Sequence, residues 1–236
     1  MMQNMLSASL SCANPLDIRA DVTLLEQSSI DTYHLDFCDG VFAPTFLLNT
    51  AVVKALRTVT AKRLDVHIYG HFPSYYLEDL ESSGADVVVV QVETEGENYA
   101  GVIDQIAKLG MTPGVGILPT SQVPNNFSEI LRKVSVVVTN TVGPAFAGQA
   151  FSPKGLENMK TVSTMAGDLG LSLEIVADGG VSKDTLPLLL ENGANHFVLG
   201  TSTLFHNEHL RENVESFRRN LEQLLAIRQD NKEGMR

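Results

Sequence analysis

The chain has 236 residues, of which 17 are Lys or Arg and 28 are Asp or Glu, so its formal net charge at pH 7 is −11. This negative charge argues against a nucleic-acid partner and against an anionic membrane surface. The two cysteines, Cys12 and Cys38, form no CxxC motif or disulfide framework, which favours a reducing cytoplasm. The first twelve residues lack the features of a signal peptide, and no apolar run approaches about 18 residues, so we expect no membrane span.

Short apolar segments rich in β-branched residues alternate with amphipathic segments along the whole chain. The former predict buried parallel strands at 6–11, 32–37, 63–68, 86–91, 112–118, 134–139, 172–177 and 196–199. The latter predict helices that include 16–27, 50–58, 74–83, 99–109, 153–169 and 183–192. Gly84, Gly110, Gly170 and Gly193 directly follow four of them, as expected at the position after a helix C-cap.

The alternation of strand and helix predicts a parallel sheet, and eight such units are the number that closes a (β/α)8 TIM barrel. A doubly wound open sheet is the alternative. A last helical pattern covers 208–231, with fraying expected over 229–236. No low-complexity segment or linker divides the chain, so residues 1–236 are predicted to form a single domain.

Polar residues stand at the ends of three predicted strands. His34 and Asp36 are two residues apart, so their side chains share one face of a strand. In isolation, such a pair is more often a buried histidine satisfied by its neighbour. His67 and Asp178 also end strands, however, and such positions in a barrel usually belong to an active site. Two imidazoles and two carboxylates suit Zn²⁺, with Fe²⁺, Mn²⁺ and Co²⁺ also compatible. Asp65 shares a face with His67 and either orients a ligand or points into the barrel.

Glycine-bearing loops follow the sixth, seventh and eighth predicted strands, at 143–149, 178–180 and 200–202. Backbone amides in such loops can approach an anion, and barrels commonly bind phosphate with the loops after strands seven and eight. A metal beside a bound phosphate indicates chemistry on a phosphosugar. The pair Asp39 and Gly40 is either a turn or part of this site. Gly114 and Gly116 do not form a dinucleotide motif and are interpreted as close packing.

The remaining histidines and the cysteines have no partner that the sequence identifies. We interpret the histidines as surface or internally satisfied groups. The cysteines lie near strand ends, where they could line the mouth of the barrel, but we favour a packing role for them. These residues are His71, His196, His206, His209, Cys12 and Cys38.

Six segments, in this order, resemble the ribulose-phosphate 3-epimerase family, including its D-allulose-6-phosphate 3-epimerase branch. They are SASL at 7–10, HLDFCDGVFAP at 34–44, LDVH at 64–67, TVGPAFAGQAF at 141–151, VADGGV at 176–181 and VLGTS at 198–202. The resemblance runs nearly the whole length. It implies a barrel of the ribulose-phosphate-binding type, a ketose phosphate as the small-molecule substrate, and compatibility with a homo-oligomer.

The resemblance also implies roles for individual residues. His34, Asp36, His67 and Asp178 would bind the divalent metal, and Asp36 and Asp178 would also exchange protons. The substrate would contact Ser9 and His67. Its phosphate would lie against the backbone of Ala145, Phe146, Ala147, Gly148, Gly179, Gly180, Gly200 and Thr201.

The implied chemistry is inversion at C3. A proton next to a ketone is too weakly acidic for a free carboxylate, so a metal would stabilise the cis-enediolate. An aspartate on each face would then remove the proton from one side and return it from the other. The substrate pair would be D-ribulose 5-phosphate and D-xylulose 5-phosphate, or D-allulose 6-phosphate and D-fructose 6-phosphate.

The chain departs from the family pattern at the wall of the pocket. Cys38, Tyr69 and Asn140 stand where methionine is usual, and Gln91 replaces a histidine. Other departures are Thr45 and Leu118, each in place of asparagine, and an exchange of residue types at Gly143 and Ala145. Because the metal and acid–base set is intact while the wall is more polar, we hypothesise that the reaction is retained, and the altered wall leaves open whether its substrate is ribulose 5-phosphate or another sugar phosphate.

Two other functions fit the same fold. A decarboxylase of the orotidine phosphate decarboxylase group would need the strand motif Asp-x-Lys-x-x-Asp. The corresponding segment here, DVHIYG at 65–70, has no lysine. A phosphosugar-binding protein without epimerase activity is favoured by the altered wall, whereas the complete ligand set and the two aspartates argue against it.

Overall fold

Eight parallel strands close into a barrel in the computed structural model, which describes residues 4–144 and 146–233. Each strand pairs with its neighbours in sequence, and the last pairs with the first. The predicted TIM barrel is therefore confirmed, and the open sheet is excluded. The strands are β1 (Met5–Ser9), β2 (Thr32–Cys38), β3 (Arg63–Tyr69), β4 (Val87–Gln91), β5 (Thr112–Ile117), β6 (Val136–Asn140), β7 (Glu174–Asp178) and β8 (His196–Leu199).

Helices follow the strands around the outside of the barrel. They are α1 (Ile18–Leu25), α2 (Thr50–Arg57), α3 (Leu77–Ser83), α4 (Tyr99–Lys108), α5 (Phe127–Leu131), α6 (Pro153–Asp168), α7 (Leu186–Glu191) and α8 (Leu210–Glu233). Short 3₁₀ turns lie at Leu10–Cys12 and Pro73–Tyr76. None of the helices in the described part of the chain has both the length and the apolar character needed to cross a membrane.

Three helices differ from the sequence expectation. The five residues of α5 were not predicted, because they are too few to show a helical period. The start of the helix predicted at 74 is a 3₁₀ turn that precedes α3. The helix α8 continues to Glu233, beyond the point at 229 where fraying was expected. The prediction that four glycines follow helix C-caps is confirmed, because all four have positive φ. They are Gly84, Gly110, Gly170 and Gly193.

Alternate residues of the strands face opposite sides of the barrel wall. Val88 and Val90 of β4 pack outward into the large core between the barrel and the helices. Val87 and Val89 belong instead to a separate valine cluster formed by β4, β6, β7 and β8. The valines fill the barrel between a polar layer at the amino ends of the strands and the polar residues at their carboxyl ends.

The polar layer at the amino ends is built around Arg63. Its guanidinium donates to both oxygens of Asp65 at 2.7 and 2.8 Å and to both oxygens of Glu174 at 2.8 and 2.7 Å. His196 lies between Glu174, at 3.2 Å, and Ser7, at 2.6 Å. Of the two roles left open for Asp65, the structure therefore shows the one in which it points into the barrel. His196 is buried and satisfied, as its interpretation required.

Candidate metal and active site

The carboxyl ends of β2, β3 and β7 bring together the four residues of the predicted metal set. Asp36 is the register partner of His67, and Asp178 ends β7 opposite Asn140 on β6. One ligating atom from each of His34, Asp36, His67 and Asp178 lies within 4.8 Å of the others. Closure of the barrel, rather than local sequence, creates this group.

Asp36 has three polar neighbours. Its Oδ1 lies 3.1 Å from His34 Nε2, Ser9 Oγ is positioned to donate to its Oδ2 at 3.3 Å, and its backbone amide donates to Ser11 Oγ at 3.2 Å. Burial raises the pKa of Asp36, but the facing His34 outweighs burial and holds that pKa at about 2. Burial lowers the pKa of His34, whereas Asp36 raises it, to about 9. The two side chains therefore form an ion pair in the metal-free protein.

Asp178 has a different environment. Tyr69 Oη and Asn140 Nδ2 both donate to its Oδ2, at 3.2 and 2.8 Å. Burial raises the pKa of Asp178 to about 6, against the charge of His34 and together with the charge of Asp36. The two aspartates thus differ in their surroundings, since Asp36 faces a histidine whereas Asp178 accepts from two neutral donors.

His67 has a buried ring nitrogen that is available to a metal. Its Nε2 lies 2.9 Å from the Gln91 side-chain amide, while its Nδ1 is buried, has no hydrogen-bond partner among the described residues, and lies 3.8 Å from Asp178 Oδ2. Burial, with the nearby charge of His34, lowers the pKa of His67 to about 3, so the ring is neutral. A metal-ligating histidine must be neutral. The donor set and this unpaired atom therefore fit a divalent metal.

The contact between the His67 ring and the Gln91 side chain requires a residue without a side chain at position 116 in β5. A Cβ placed on Gly116 would lie 2.7 Å from His67 Nε2 and 2.9 Å from the Gln91 amide. The close-packing interpretation of this glycine, made from the sequence, agrees with the structure.

Two small adjoining cavities lie above the metal group. One, of about 80 Å³, is lined by Phe146 and Ala147 together with both aspartates. The other, of about 60 Å³, is lined by Ser9 and by five of the predicted phosphate-contacting residues, namely Gly148, Gly179, Gly180, Gly200 and Thr201. Ala145, also predicted to contact phosphate, lies outside the described residues.

Backbone conformation explains one of the glycines in the second cavity. Gly179 has φ of +105°, and a Cβ there would collide with the side chain of Val142. Cys12 and Val142 border both cavities. Of the two roles considered for Cys12, the structure therefore shows the less favoured one, a place at the mouth of the barrel, which depends on how the loop after β1 folds against the loops after β6 and β8.

The model of the ribulose-phosphate 3 epimerase family matches residues 5–205. The chain belongs to this family. The ribulose-phosphate 3-epimerase of Synechocystis sp. is 31% identical over 200 residues, covering 84% of this chain and 86% of the relative. That of Bacillus subtilis is 34% identical over 179 residues, covering 75% and 82%. These matches confirm two predictions made from the sequence, namely that the chain belongs to this family and that it is an isomerase-class carbohydrate epimerase.

Solved structures support the fold alone, because their sequence identities are low. KGPDC from Streptococcus mutans has a TM-score of 0.66 at 12% identity, with 95% of this chain and 99% of that chain covered. Thiamine phosphate pyrophosphorylase from Pyrococcus furiosus has a TM-score of 0.60 at 16% identity, covering 94% and 96%.

The wall residues that the sequence analysis singled out occupy two different places. Tyr69 and Asn140 line the cavity beside the aspartates, whereas Gln91 is fully buried beneath His67. Cys38 packs against Tyr69 and Leu118, and its thiol donates to the carbonyl oxygen of Ala43 at 3.5 Å. Cys38 therefore supports the wall from behind.

Other residues singled out in the sequence have structural explanations. Asp39 Oδ1 accepts from the backbone amides of Val41 and Phe42 at 2.8 and 2.7 Å, and Gly40 has φ of +77°, so this segment is a turn. His71 Nδ1 accepts from the Glu95 amide at 3.1 Å. His206 and His209 are exposed, in line with their interpretation as surface histidines.

Proposed function

We propose that this protein is a metal-dependent 3-epimerase of a ketose phosphate, with D-ribulose 5-phosphate and D-allulose 6-phosphate as the leading substrates. The observation that carries the proposal is the group of His34, Asp36, His67 and Asp178, whose ligating atoms lie within 4.8 Å of one another. Zn²⁺ is the proposed metal, because it suits two imidazoles and two carboxylates; Fe²⁺, Mn²⁺ and Co²⁺ are alternatives.

The two aspartates divide the proton transfer. When bound, a divalent metal supplies Lewis-acid stabilisation of the negative charge that develops on the substrate oxygens. Asp36 and Asp178 act on opposite faces of the flat enediolate, one removing the C3 proton and the other returning one to the far side. Each such step contributes about 10²- to 10⁴-fold to the rate.

The second cavity is proposed to hold the substrate phosphate. Its lining by Gly148, Gly179, Gly180 and Gly200 exposes backbone without side chains beyond Cα, which allows amide groups to approach an anion. This placement gives the acidic chain a local site for an anion despite its net charge of −11. A cytoplasmic location and a homo-oligomeric assembly are further parts of the proposal.

The test is incorporation of deuterium from solvent. Metal-reconstituted protein is incubated in D₂O with each ketose phosphate, with metal-free protein as a control, and C3 is followed by NMR. We expect metal-dependent deuterium at C3 together with the epimeric product. Binding of the sugar phosphates by metal-loaded protein without any exchange would instead identify a phosphosugar-binding protein.

Two variants, one at Asp178 and one at a surface aspartate, extend this test. Asp178→Asn removes a metal ligand and a proton carrier, so we expect loss of the epimeric product with sugar phosphate binding retained. Asp104→Asn is the control, because Asp104 pairs with Lys133 on the surface at 2.8 Å. An unchanged rate of epimer formation in Asp178→Asn would refute the assignment.

A further inference from the structure

Most polar atoms of the pocket wall form hydrogen bonds within the wall or to the metal set, whereas Gln91 Oε1 is buried and has no hydrogen-bond partner among the described residues. Asn140 Nδ2 lies 2.9 Å from Tyr69 Oη and 2.8 Å from Asp178 Oδ2, and its Oδ1 accepts from Gln91 Nε2 at 3.0 Å. The side chains of Tyr69, Gln91 and Asn140 are almost completely buried. Their hydrogen bonds run to one another and to the metal set. The polarity of Tyr69 and Asn140 is therefore explained without additional contacts to sugar hydroxyl groups.

The two donors converge on a single oxygen of one aspartate. Tyr69 Oη and Asn140 Nδ2 both reach Asp178 Oδ2, and neither contacts Asp178 Oδ1. Two hydrogen bonds to one carboxylate oxygen fix the rotation of the carboxylate as well as its position. Hydrogen bonds to a charged group are also stronger than those between neutral groups.

We propose that Tyr69 and Asn140 are positioning residues that hold Asp178 by Oδ2 and so direct its other oxygen to the substrate. This inference rests on the proposed function and assigns these residues to one of its two proton-transfer steps. Neither residue exchanges a proton with the substrate; both act through Asp178.

The other aspartate is held by a different set of groups. The side-chain oxygens of Asp36 are contacted by Ser9 at 3.3 Å and His34 at 3.1 Å, and neither Tyr69 nor Asn140 is among its partners. Loss of a wall donor should therefore impair proton transfer on the face served by Asp178 and spare the face served by Asp36. A variant that only loosened the fold would impair both faces alike.

The experiment compares the two epimers of the active ketose phosphate as separate starting materials in D₂O. For each, the deuterium in recovered starting material is divided by the product formed. When the step at Asp178 is slowed, the enediolate formed through Asp36 returns to its starting epimer more often before it reaches product. The ratio of deuterium in the starting material to product therefore rises for the epimer that Asp36 deprotonates. It does not rise for the epimer that Asp178 deprotonates.

Tyr69→Phe and Asn140→Met are the test variants. We expect each to raise this ratio about tenfold, from the same epimer, because each removes one hydrogen bond to a carboxylate. Ser9→Ala, which removes a donor to Asp36, is expected to raise it from the opposite epimer. Bound metal per chain is measured for every variant, and we expect Tyr69→Phe and Asn140→Met to retain the wild-type amount.

A matched control is Tyr33→Phe. The Tyr33 phenol is also fully buried, but it donates to Glu26 at 2.7 Å on the outer side of β2, away from the metal group. We expect this variant to leave both ratios at the wild-type value. If the wild type exchanges deuterium but both wall variants keep its ratios, or change them equally from both epimers, the positioning role is refuted while the proposed function stands. Absence of exchange in the metal-loaded wild type refutes the proposed function itself.

Discussion

Replacement of Glu174 by glutamine is expected to destabilise the barrel in a pH-dependent way. Burial raises the pKa of Glu174, but hydrogen bonds from Arg63 and His196 outweigh this and lower it from 4.5 to about 2. At about 1.4 kcal/mol per pKa unit, this shift corresponds to a stabilisation of about 3 kcal/mol at pH 7. The value is an upper bound for the substitution, because Arg63 keeps Asp65 as a partner in Glu174→Gln.

The sign of the pH dependence follows from the direction of the shift. Because the pKa is lower in the folded than in the unfolded protein, the stabilisation is complete above pH 4.5 and is lost as the pH falls towards about 2. At low pH the protonated Glu174 resembles glutamine, so the stabilities of wild type and variant should converge. About half of the difference should remain at pH 3.

Urea unfolding followed by circular dichroism, at several pH values between 3 and 7, measures this difference. Glu222→Gln, on the exposed face of α8, is the control and should match the wild type at each pH. A difference between Glu174→Gln and wild type that stays constant down to pH 3, or that is absent at pH 7, would refute the account of the polar layer around Arg63.

Three further predictions concern the site. Gly116→Ala should weaken metal binding measured by competition with a chelator, because its Cβ would lie 2.7 Å from His67 Nε2; Gly101→Ala, where a Cβ meets nothing within 4 Å, should leave metal binding unchanged. Gly179→Ala should weaken sugar phosphate binding measured by calorimetry, since its φ is +105° and its Cβ would meet Val142; wild-type affinity would contradict this. Removal of metal by a chelator should abolish C3 exchange and addition of Zn²⁺ should restore it; undiminished exchange in metal-free protein would exclude a metal-dependent reaction.

The pattern of apolar residues was sufficient to predict the barrel. A parallel strand buried on both faces appears in the sequence as a short apolar run, whereas an amphipathic helix repeats its apolar residues every three to four positions. Glycines after helices located several helix ends, since the left-handed position favours glycine. The same pattern could not reveal the five-residue helix Phe127–Leu131, because that helix spans little more than one turn. The extent of the last helix to Glu233 also could not be read from its polar composition.

For the site, the order of residue types along the chain was enough to locate polar side chains at the strand ends, so it predicted His34, Asp36, His67 and Asp178 as a metal set. The neighbours of these side chains depend on how the sheet closes. Closure of the barrel sets Tyr69 and Asn140 on one oxygen of Asp178, places Gln91 beneath His67, and brings Arg63 to Glu174. These contacts join residues that are far apart in sequence, and a local pattern cannot report which partner a side chain meets across a closed sheet.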